Sequence, residues 1–380
     1  MAGLALGAAT ALGLARFAYG LLVPAMRTDL GWSLAQVGAV TTANGIGYLV
    51  GALVTAPLAR LLTLTGAFRW GMVGCVGALG VTAVSSSYPA LLAARLAAGA
   101  AGALVFVTGI GIASRLATAV GSATPIGVYV AGSGAGIVLG GATVPSLLDR
   151  HSERWPLAWL GLAVTAAVAT VISWRAARTD PRDDGENTEV AVRRRAQVRP
   201  LWRFAAAYTL FAAGYITYIT FLSTYLAEHR WSATQTSLTW TILGLAVLAG
   251  PHLWSRPAAA WPHARTLATL LTTVSAAAAA PLLTPAPAML IGSAAAYGAA
   301  FLSVPAAITA LVRDTTTHAD RMPTLAAFTA LFAAGQTVGP WVAGWLADRT
   351  TSGATLAWTA LLCAIAAVLA ASHSPRHADR

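Results

Sequence analysis

Twelve long apolar segments constrain this chain more than any other feature, because each is long enough to cross a lipid bilayer. A membrane-spanning helix takes about 20 residues. The bilayer core holds no water to hydrogen-bond an exposed backbone, so such a segment must fold as a helix. We therefore predict an all-α polytopic membrane protein with twelve transmembrane helices. The predicted spans 1 to 12 are residues 3–26, 35–59, 69–87, 90–113, 123–148, 155–174, 203–227, 235–254, 265–283, 287–312, 322–347 and 354–372.

Charge is scarce in the chain, which has 380 residues, 57% of them hydrophobic and 10% charged. A soluble domain is nearer a quarter charged, so most of this surface is expected to face lipid. All 24 basic residues are Arg, and the lack of Lys excludes a P-loop and a lysine Schiff base. The two Cys lie apart and form no metal-binding pattern. We expect no cofactor, no metal and no nucleic-acid partner, and a monomer in the lipid bilayer.

Arginine placement predicts how the chain is oriented in the membrane. The even-numbered loops and both tails carry 17 Arg, the odd-numbered loops carry five, and two lie within spans. Basic residues accumulate in cytoplasmic loops. Both termini and the loop between spans 6 and 7 are therefore predicted to be cytoplasmic, with the protein in the cytoplasmic membrane.

The two halves of the chain repeat each other at an offset of 199 residues. The sequence Trp-Ser-x-x-Gln at residues 32–36 recurs at residues 231–235, and Gly99 recurs as Gly298. Each half has six spans, an even number, so the two halves are predicted to be parallel repeats. Parallel repeats are one of the plans that secondary transporters use.

This repeat defines the predicted domains. Residues 1–174 and 203–380 are the two six-helix bundles. Residues 175–202 are polar and charged, as is typical of a flexible segment, and are predicted to form a cytoplasmic linker.

Span 5 carries glycines every four residues, which gives a smooth surface for close helix packing. It reads GSGAGIVLGG and is similar to the antiporter motif GxxxGPxxGG of the major facilitator superfamily, with Ile137 where proline is usual. Span 1, with Arg16, Phe17 and Tyr19, resembles the YbfB/YjiJ-type branch of that superfamily. The resemblance covers almost the whole chain and implies the twelve-helix major facilitator fold and transport by alternating access. The packing glycines are Gly132, Gly136, Gly140 and Gly141.

The chain departs from the superfamily in the loop after span 2, where the Asp-Arg pair of the motif GxxxDRxGR is missing. A GxxxDR sequence instead ends span 11, on the opposite side of the membrane, with Asp348 and Arg349. The repeat places Asp149 and Arg150 at the end of span 5. We interpret these two pairs as parts of an outer gate.

Arg16 has the strongest functional signal. It lies about ten residues from the end of span 1, or about 15 Å deep at about 1.5 Å per residue. An Arg at the centre of a span is unfavourable by roughly 2.5–3.5 kcal/mol on insertion scales, and a helical wheel places it on an inward face. Two interpretations remain open. Arg16 binds an anionic or carbonyl group of a substrate, or it holds backbone carbonyl groups of neighbouring helices.

Arg95 is the second arginine within a span. It lies about 10 Å from the end of span 4 by helix rise. Similar arginines of the superfamily are tied to proton coupling, and the alternative is a hydrogen-bonded guanidinium that packs between helices. The sequence favours neither interpretation.

Acidic residues are absent from the middle of the spans, because all 13 can be placed in loops or at span ends. A transported cation needs a buried counter-charge, so an anionic or neutral substrate is favoured. A proton could then travel on the substrate's own carboxylate, or on an acid at a span edge such as Asp29 or Glu228.

Six residues, five of them aromatic, form one stripe along span 7 at helical spacing. Such a stripe either stacks on an aromatic substrate or packs helices together. Asn44, Tyr297 and Gln336 are the remaining polar candidates within spans. The stripe consists of Tyr208, Phe211, Tyr215, Tyr218, Leu222 and Tyr225.

The predicted function is secondary active transport of a small organic solute, anionic or neutral, with export favoured over uptake. The alternatives are proton-linked uptake of an organic anion and a sensor on the same fold that no longer transports. An integral membrane enzyme is disfavoured, since no acids, histidines or nucleophiles cluster near an interface. The predicted substrate contacts are Arg16, Tyr19, Asn44, Tyr215, Tyr218, Tyr297 and Gln336, and the predicted coupling or gating residues are Arg95, Asp149, Arg150, Asp348, Arg349 and Glu228.

Overall fold

Helices make up nearly all of the described chain. The structure, a computed structural model, describes residues 1–177 and 196–372, so most of the predicted linker lies outside the described residues. No strand occurs within these two ranges. The helices are Ala2–Leu30 (span 1), Leu34–Val84 (spans 2 and 3), Tyr88–Val120 (span 4), Thr124–Leu148 (span 5), Trp155–Ala176 (span 6), Trp202–Glu228 (span 7), Ala233–Leu253 (span 8), His263–Leu283 (span 9), Pro287–Phe301 with Ser303–Thr315 (span 10), His318–Ala347 (span 11) and Gly353–Ala371 (span 12).

Spans 2 and 3 follow each other within the 51 residues of Leu34–Val84, where two helices meet at a kink and the connection is shorter than the predicted loop. With Leu34–Val84 counted once, eleven described helical segments are long and apolar enough to cross a membrane. The direction changes at Thr63, whose φ of 63° and ψ of 163° are not helical. Thr63 Oγ1 accepts a hydrogen bond from the Gly66 backbone N–H, so Thr63 caps the start of span 3. The predicted loop, residues 60–68, contains no Pro, and Thr63 is the one residue in it with non-helical backbone angles. The turn between spans 2 and 3 is therefore short.

The predicted repeat is present in the three-dimensional structure. Ser33 and Ser232 each cap a helix, spans 2 and 8, and each forms a capping box with the Gln three residues later. Such a box satisfies backbone N–H groups that the first helical turn leaves free. The repeated Trp-Ser-x-x-Gln sequence is therefore a helix start signal, and the fold of two six-helix repeats is confirmed.

Close helix approach is repeated as well. Gly99 of span 4 faces the backbone of Asn44, and its repeat mate Gly298 of span 10 faces the backbone of Leu243. Residues 44 and 243 are also 199 apart. A side chain at either glycine would collide with a backbone oxygen of the neighbouring helix. The repeat therefore preserves the distance between helices as well as their order.

The two halves meet along three helix pairs, which are spans 1 and 7, spans 2 and 11, and spans 5 and 8. We call the end of the bundle that carries residues 177 and 196 the linker end, and the opposite end the far end. Hydrogen bonds between the halves run from the middle of the bundle to the far end, and include Thr41 to Thr220 and Thr42 to the Thr337 carbonyl. At the linker end, spans 5 and 8 enclose a cavity of about 610 Å³.

Span 1 is buried on all sides, since every residue from Gly7 to Val23 is buried. Its central part, Ala9–Phe17, is a π-helix. A π-helix has a wider turn than an α-helix and often occurs at functional sites. The helical wheel used for the sequence prediction assumes the α-helical period, so it describes this part of span 1 only approximately.

Gly99→Ala is expected to lower the stability of the protein, because the added Cβ would collide with the Asn44 carbonyl oxygen and the Tyr48 amide. Overpacking of this kind destabilises by about 1–3 kcal/mol. Thermal unfolding of the detergent-purified protein measures the effect. Gly77→Ala is the matched control, since nothing lies within 4 Å of a Cβ there. Equal melting temperatures for the two variants would contradict the close approach.

Candidate functional site

Arg16 contacts both halves of the protein from the last turn of the π-helix in span 1. Its side chain is 7% exposed, and its Nη2 donates a hydrogen bond of 2.5 Å to Gln336 Oε1 in span 11. Its guanidinium carbon lies 4.9 Å from the centre of the Tyr48 ring in span 2. The guanidinium is therefore held between a neutral amide of one half and an aromatic face of the other.

Gln336 joins Arg16 to span 7. Its Oε1 also accepts a hydrogen bond of 3.3 Å from the Tyr215 hydroxyl. Arg has only donors, so the amide oxygen of Gln336 must face it and the amide nitrogen must point elsewhere. That nitrogen, Nε2, is buried without a hydrogen-bond acceptor, and so is Arg16 Nε. Two donors are therefore unsatisfied at this one place.

Aromatic rings surround the Tyr215 side of this cluster. The Phe332 ring in span 11 lies 5.6 Å from that of Tyr215 and 4.7 Å from that of Tyr208. Phe211 lies 5.0 Å from Tyr215, and Phe301 lies 6.0 Å from it. The planes in these four pairs differ by 16–28°. We call these five residues the aromatic ladder.

The other members of the predicted stripe have different neighbours. The Tyr218 ring stacks on Tyr297 at 3.9 Å, and its hydroxyl pairs with Ser293 Oγ at 2.7 Å. The Tyr297 hydroxyl donates to the backbone carbonyl of Tyr215. The Tyr225 hydroxyl donates to the Pro281 carbonyl. Tyr218 and Tyr297 thus support the second half from within, and the stripe serves helix packing along part of its length.

Arg95 forms a second cluster in the first half. Its side chain is 1% exposed and lies over the rings of Tyr19 and Trp159, at 5.1 Å and 5.3 Å. Its Nη2 donates to the Arg16 carbonyl at 3.4 Å, and its own carbonyl accepts from Asn44 Nδ2 at 3.0 Å. Of the seven predicted substrate contacts, Arg16, Tyr215 and Gln336 are therefore together, whereas Tyr19 and Asn44 lie with Arg95.

Positive charge dominates the interior. Arg16 and Arg95 are the two charged side chains that are buried within residues 1–177 and 196–372. The ion pairs found in these ranges involve neither of them. No described Asp or Glu is buried, which agrees with the predicted absence of mid-span acids.

The far end carries the polar contacts that close the two halves together. The carboxylate of Asp348 accepts hydrogen bonds of 2.7 Å and 2.8 Å from the backbone N–H groups of Leu34 and Ala35, at the start of span 2. A carboxylate at a helix N-terminus is favourable because the helix dipole is positive there. Arg27 and Glu228 form an ion pair of 3.5 Å between spans 1 and 7.

Neither predicted Asp-Arg gate pair forms an ion pair within the described residues. Arg349 donates to the Trp345 carbonyl of its own helix and lies over that residue's ring. Asp149, the repeat mate of Asp348, is exposed and lines a cavity of about 280 Å³ with Ala233 of span 8. Arg150 is exposed. Asp348 thus joins the two halves in this conformation.

The span 5 glycines pack as the sequence indicates. Gly132 and Gly136 face the backbone of span 1, and Gly141 faces the backbone of span 8. Gly140 meets a side chain of span 1, that of Leu21. These glycines let span 5 contact both span 1 and the opposite half at close range.

Sequence reasoning missed three rings of this site. Tyr48, Phe301 and Phe332 each pack against a predicted residue, as described above. Phe332 precedes Gln336 by one helical turn, so the two share a face of span 11. That spacing was the available signal, but many apolar residues have equivalent spacings in a membrane helix.

Two parallel six-helix repeats, joined around a buried arginine between them, define a membrane transporter and not an enzyme. The chain belongs to the major facilitator superfamily. The model of the family described as "Uncharacterised MFS-type transporter YbfB" matches residues 8–373. The predicted resemblance to this branch is confirmed, and the protein is a multi-pass membrane protein.

Solved structures share the fold at low sequence identity. The D-xylose-proton symporter aligns with a TM-score of 0.78 and 12% identity, over 98% of this chain and 97% of that one. The nucleoside transporter NupG aligns with a TM-score of 0.68 and 14% identity, over 97% of each chain. The human organic anion transporter MFSD10 aligns with a TM-score of 0.62 and 16% identity, over 97% of each chain.

A sequence relative is the chloramphenicol resistance protein of Streptomyces lividans. It is 28% identical over 154 residues, which are 40% of this chain and 39% of that protein.

Gln336→Leu is expected to destabilise the protein, because it leaves Arg16 Nη2 and the Tyr215 hydroxyl buried without their acceptor. An unsatisfied buried polar group is unfavourable by about 1–3 kcal/mol. Thermal unfolding in detergent measures the change. Thr337→Val is the matched control on the same helix, since the Thr337 hydroxyl bonds only within its own helix. The assignment of Gln336 as the acceptor fails if Gln336→Leu unfolds at the same temperature as Thr337→Val.

Proposed function

We propose that this protein is a secondary active transporter that moves a small organic solute, anionic or neutral, across the cytoplasmic membrane by alternating access. The observation that carries the proposal is the bond between Arg16 and Gln336. It lies between the two halves, where each half contributes a polar group to one buried site. A solute bound there would contact both halves and could be released when they move apart.

The charge of the interior supports an anionic or neutral solute. Arg16 and Arg95 are buried without a carboxylate partner in the described residues. A cationic solute would add a third positive charge to a region of low dielectric, which is strongly unfavourable. An anion would reduce the net charge of the same region.

The distribution of contacts between the halves supports alternating access. The halves are joined at the far end by Asp348 and by the ion pair of Arg27 and Glu228, and in the middle by Arg16 and Gln336. The contacts at the far end are exposed or partly exposed and contribute little stability each. We propose that these far-end contacts form and break during the cycle.

Export is the favoured direction. The partial relative from Streptomyces lividans is a chloramphenicol resistance protein, and export of a drug is one way to confer resistance. The span 5 glycines, which are similar to an antiporter motif, agree with this direction. Cells that lack their main drug exporters and express this chain would test it, because an exporter lowers susceptibility to its substrates, chloramphenicol included.

Arg16→Gln is expected to reduce solute counterflow in proteoliposomes by at least about tenfold, since it removes a charge-assisted hydrogen bond worth roughly 1.5–3 kcal/mol. The readout is exchange of labelled solutes from a panel of organic acids, neutral metabolites and antibiotics. Arg256→Gln, an exposed arginine at the linker end, is the control and is expected to keep full exchange. Full exchange by both variants would refute a role of Arg16 in binding. The absence of exchange for every solute would favour a sensor.

We expect the coupled proton to be carried by one of two groups, the solute's own carboxylate or Glu228. Glu228→Gln removes the titratable partner of Arg27 at the far end. Transport driven by a pH gradient should fall severalfold in this variant if Glu228 carries the proton. The same transport should fall in Arg16→Ala if the proton travels on a bound carboxylate. Unchanged kinetics in both variants would rule out both routes.

A further inference from the structure

We propose that the solute is an aromatic carboxylate, bound through its two oxygens by Arg16 and Gln336 and through its ring by the aromatic ladder. This inference rests on the proposed function and names the substrate class of the same site. It depends on two further observations, the unsatisfied donors and the near-parallel rings beside them.

The unsatisfied donors define the charge of the bound group. Arg16 Nε and Gln336 Nε2 are buried N–H donors with no acceptor. Both belong to residues that are joined to each other by one hydrogen bond. A carboxylate has two acceptor oxygens and could accept one hydrogen bond from each of these two residues. A cation or a pure donor would leave both N–H groups unsatisfied, which is unfavourable.

The aromatic ladder defines the rest of the solute. Phe332 is half-buried, lies one turn before Gln336 on span 11, and stacks near both Tyr208 and Tyr215. The planes of Phe332 and Tyr215 differ by 25°, and those of Phe211 and Tyr215 by 16°. Aromatic rings prefer offset stacking at separations of about 4.5–7 Å. A planar ring would therefore extend this ladder, whereas a puckered aliphatic ring would fit it less well.

The aromatic ladder lies next to the unsatisfied donors, so one solute could contact both. Tyr215 belongs to the ladder and also donates its hydroxyl to Gln336. The donors and the rings are thus adjacent on spans 7 and 11, and both belong to the second half except for Arg16. A short aromatic acid, with the carboxylate directly on the ring or one or two carbons away, matches this adjacency.

Three probes separate the contributions of the charge and the ring. Benzoate has both, benzamide keeps the ring without the charge, and cyclohexanecarboxylate keeps the charge without a planar ring. The full chain in detergent is titrated with each probe while thermal unfolding is followed, and uptake of labelled benzoate into proteoliposomes is measured in parallel. Benzoate is expected to bind at least about tenfold more tightly than benzamide, because of the charge-assisted bond. It is expected to bind about two- to tenfold more tightly than cyclohexanecarboxylate, because of the ring stack.

Two variants locate the ring contact. Phe332→Leu is expected to weaken benzoate binding about two- to tenfold, the usual worth of an aromatic pair, and to leave cyclohexanecarboxylate binding unchanged. Phe106→Leu is the matched control, because Phe106 is a half-buried ring in the first half that faces one tyrosine, Tyr129. Both variants are first checked for a single unfolding transition and a single peak in size exclusion.

The outcomes distinguish this inference from the proposed function. Equal binding of benzoate and cyclohexanecarboxylate, or equal losses in the two Phe variants, would overturn the aromatic substrate. If another solute then shows Arg16-dependent exchange, the proposed transport function is supported without an aromatic substrate. Benzoate binding that depends on Arg16 and Phe332 but gives no transport would support the site and refute the transport function. Equal binding of benzamide and benzoate would overturn the carboxylate and indicate that water satisfies the donors.

Discussion

A guanidinium buried at mid-membrane depth must find its hydrogen-bond acceptors within the protein, and the centre of this structure is arranged around that requirement. Arg16 lies on a span buried on every side, and its main acceptor comes from the opposite half. That acceptor, Gln336, is neutral, so the positive charge is solvated without being cancelled. The same bond joins the two repeats and leaves the site electropositive. A carboxylate in place of Gln336 would have joined the halves more tightly and removed the charge.

The two repeats have diverged mainly in what fills their interiors. Tyr19 and Tyr218 are repeat mates, but Tyr19 lies under Arg95 whereas Tyr218 stacks on Tyr297. Arg16 is itself the repeat mate of Tyr215, and both bond to the same amide oxygen. The first half therefore contributes charge to the centre and the second half contributes rings and hydroxyls. The two bundles share helix starts and close backbone approaches, whereas their interior side chains make different contacts.

Sequence reasoning succeeded for features with a local cause. The twelve spans follow from apolar length, because the bilayer imposes the helix and its length. The two repeats follow from the 199-residue offset, and the family from its resemblance to the motifs of spans 1 and 5. It was less accurate at the turn between spans 2 and 3, where Thr63 alone interrupts the helix. It also grouped seven polar residues into one site, and the structure separates them into clusters around Arg16, around Arg95, and around Tyr218. A helical wheel gives a direction for each side chain but not the helix that it faces.

By itself the sequence determined that this chain spans the membrane twelve times in two repeated halves, belongs to a transporter superfamily and carries two buried arginines without a nearby acid. Only the tertiary structure decided which groups those arginines contact. Gln336 lies 320 residues from Arg16, and Asp348 reaches the start of span 2 from the end of span 11. Such contacts depend on how the two bundles dock, which is set by backbone approach and side-chain shape across the interface and leaves no periodic signal in the sequence.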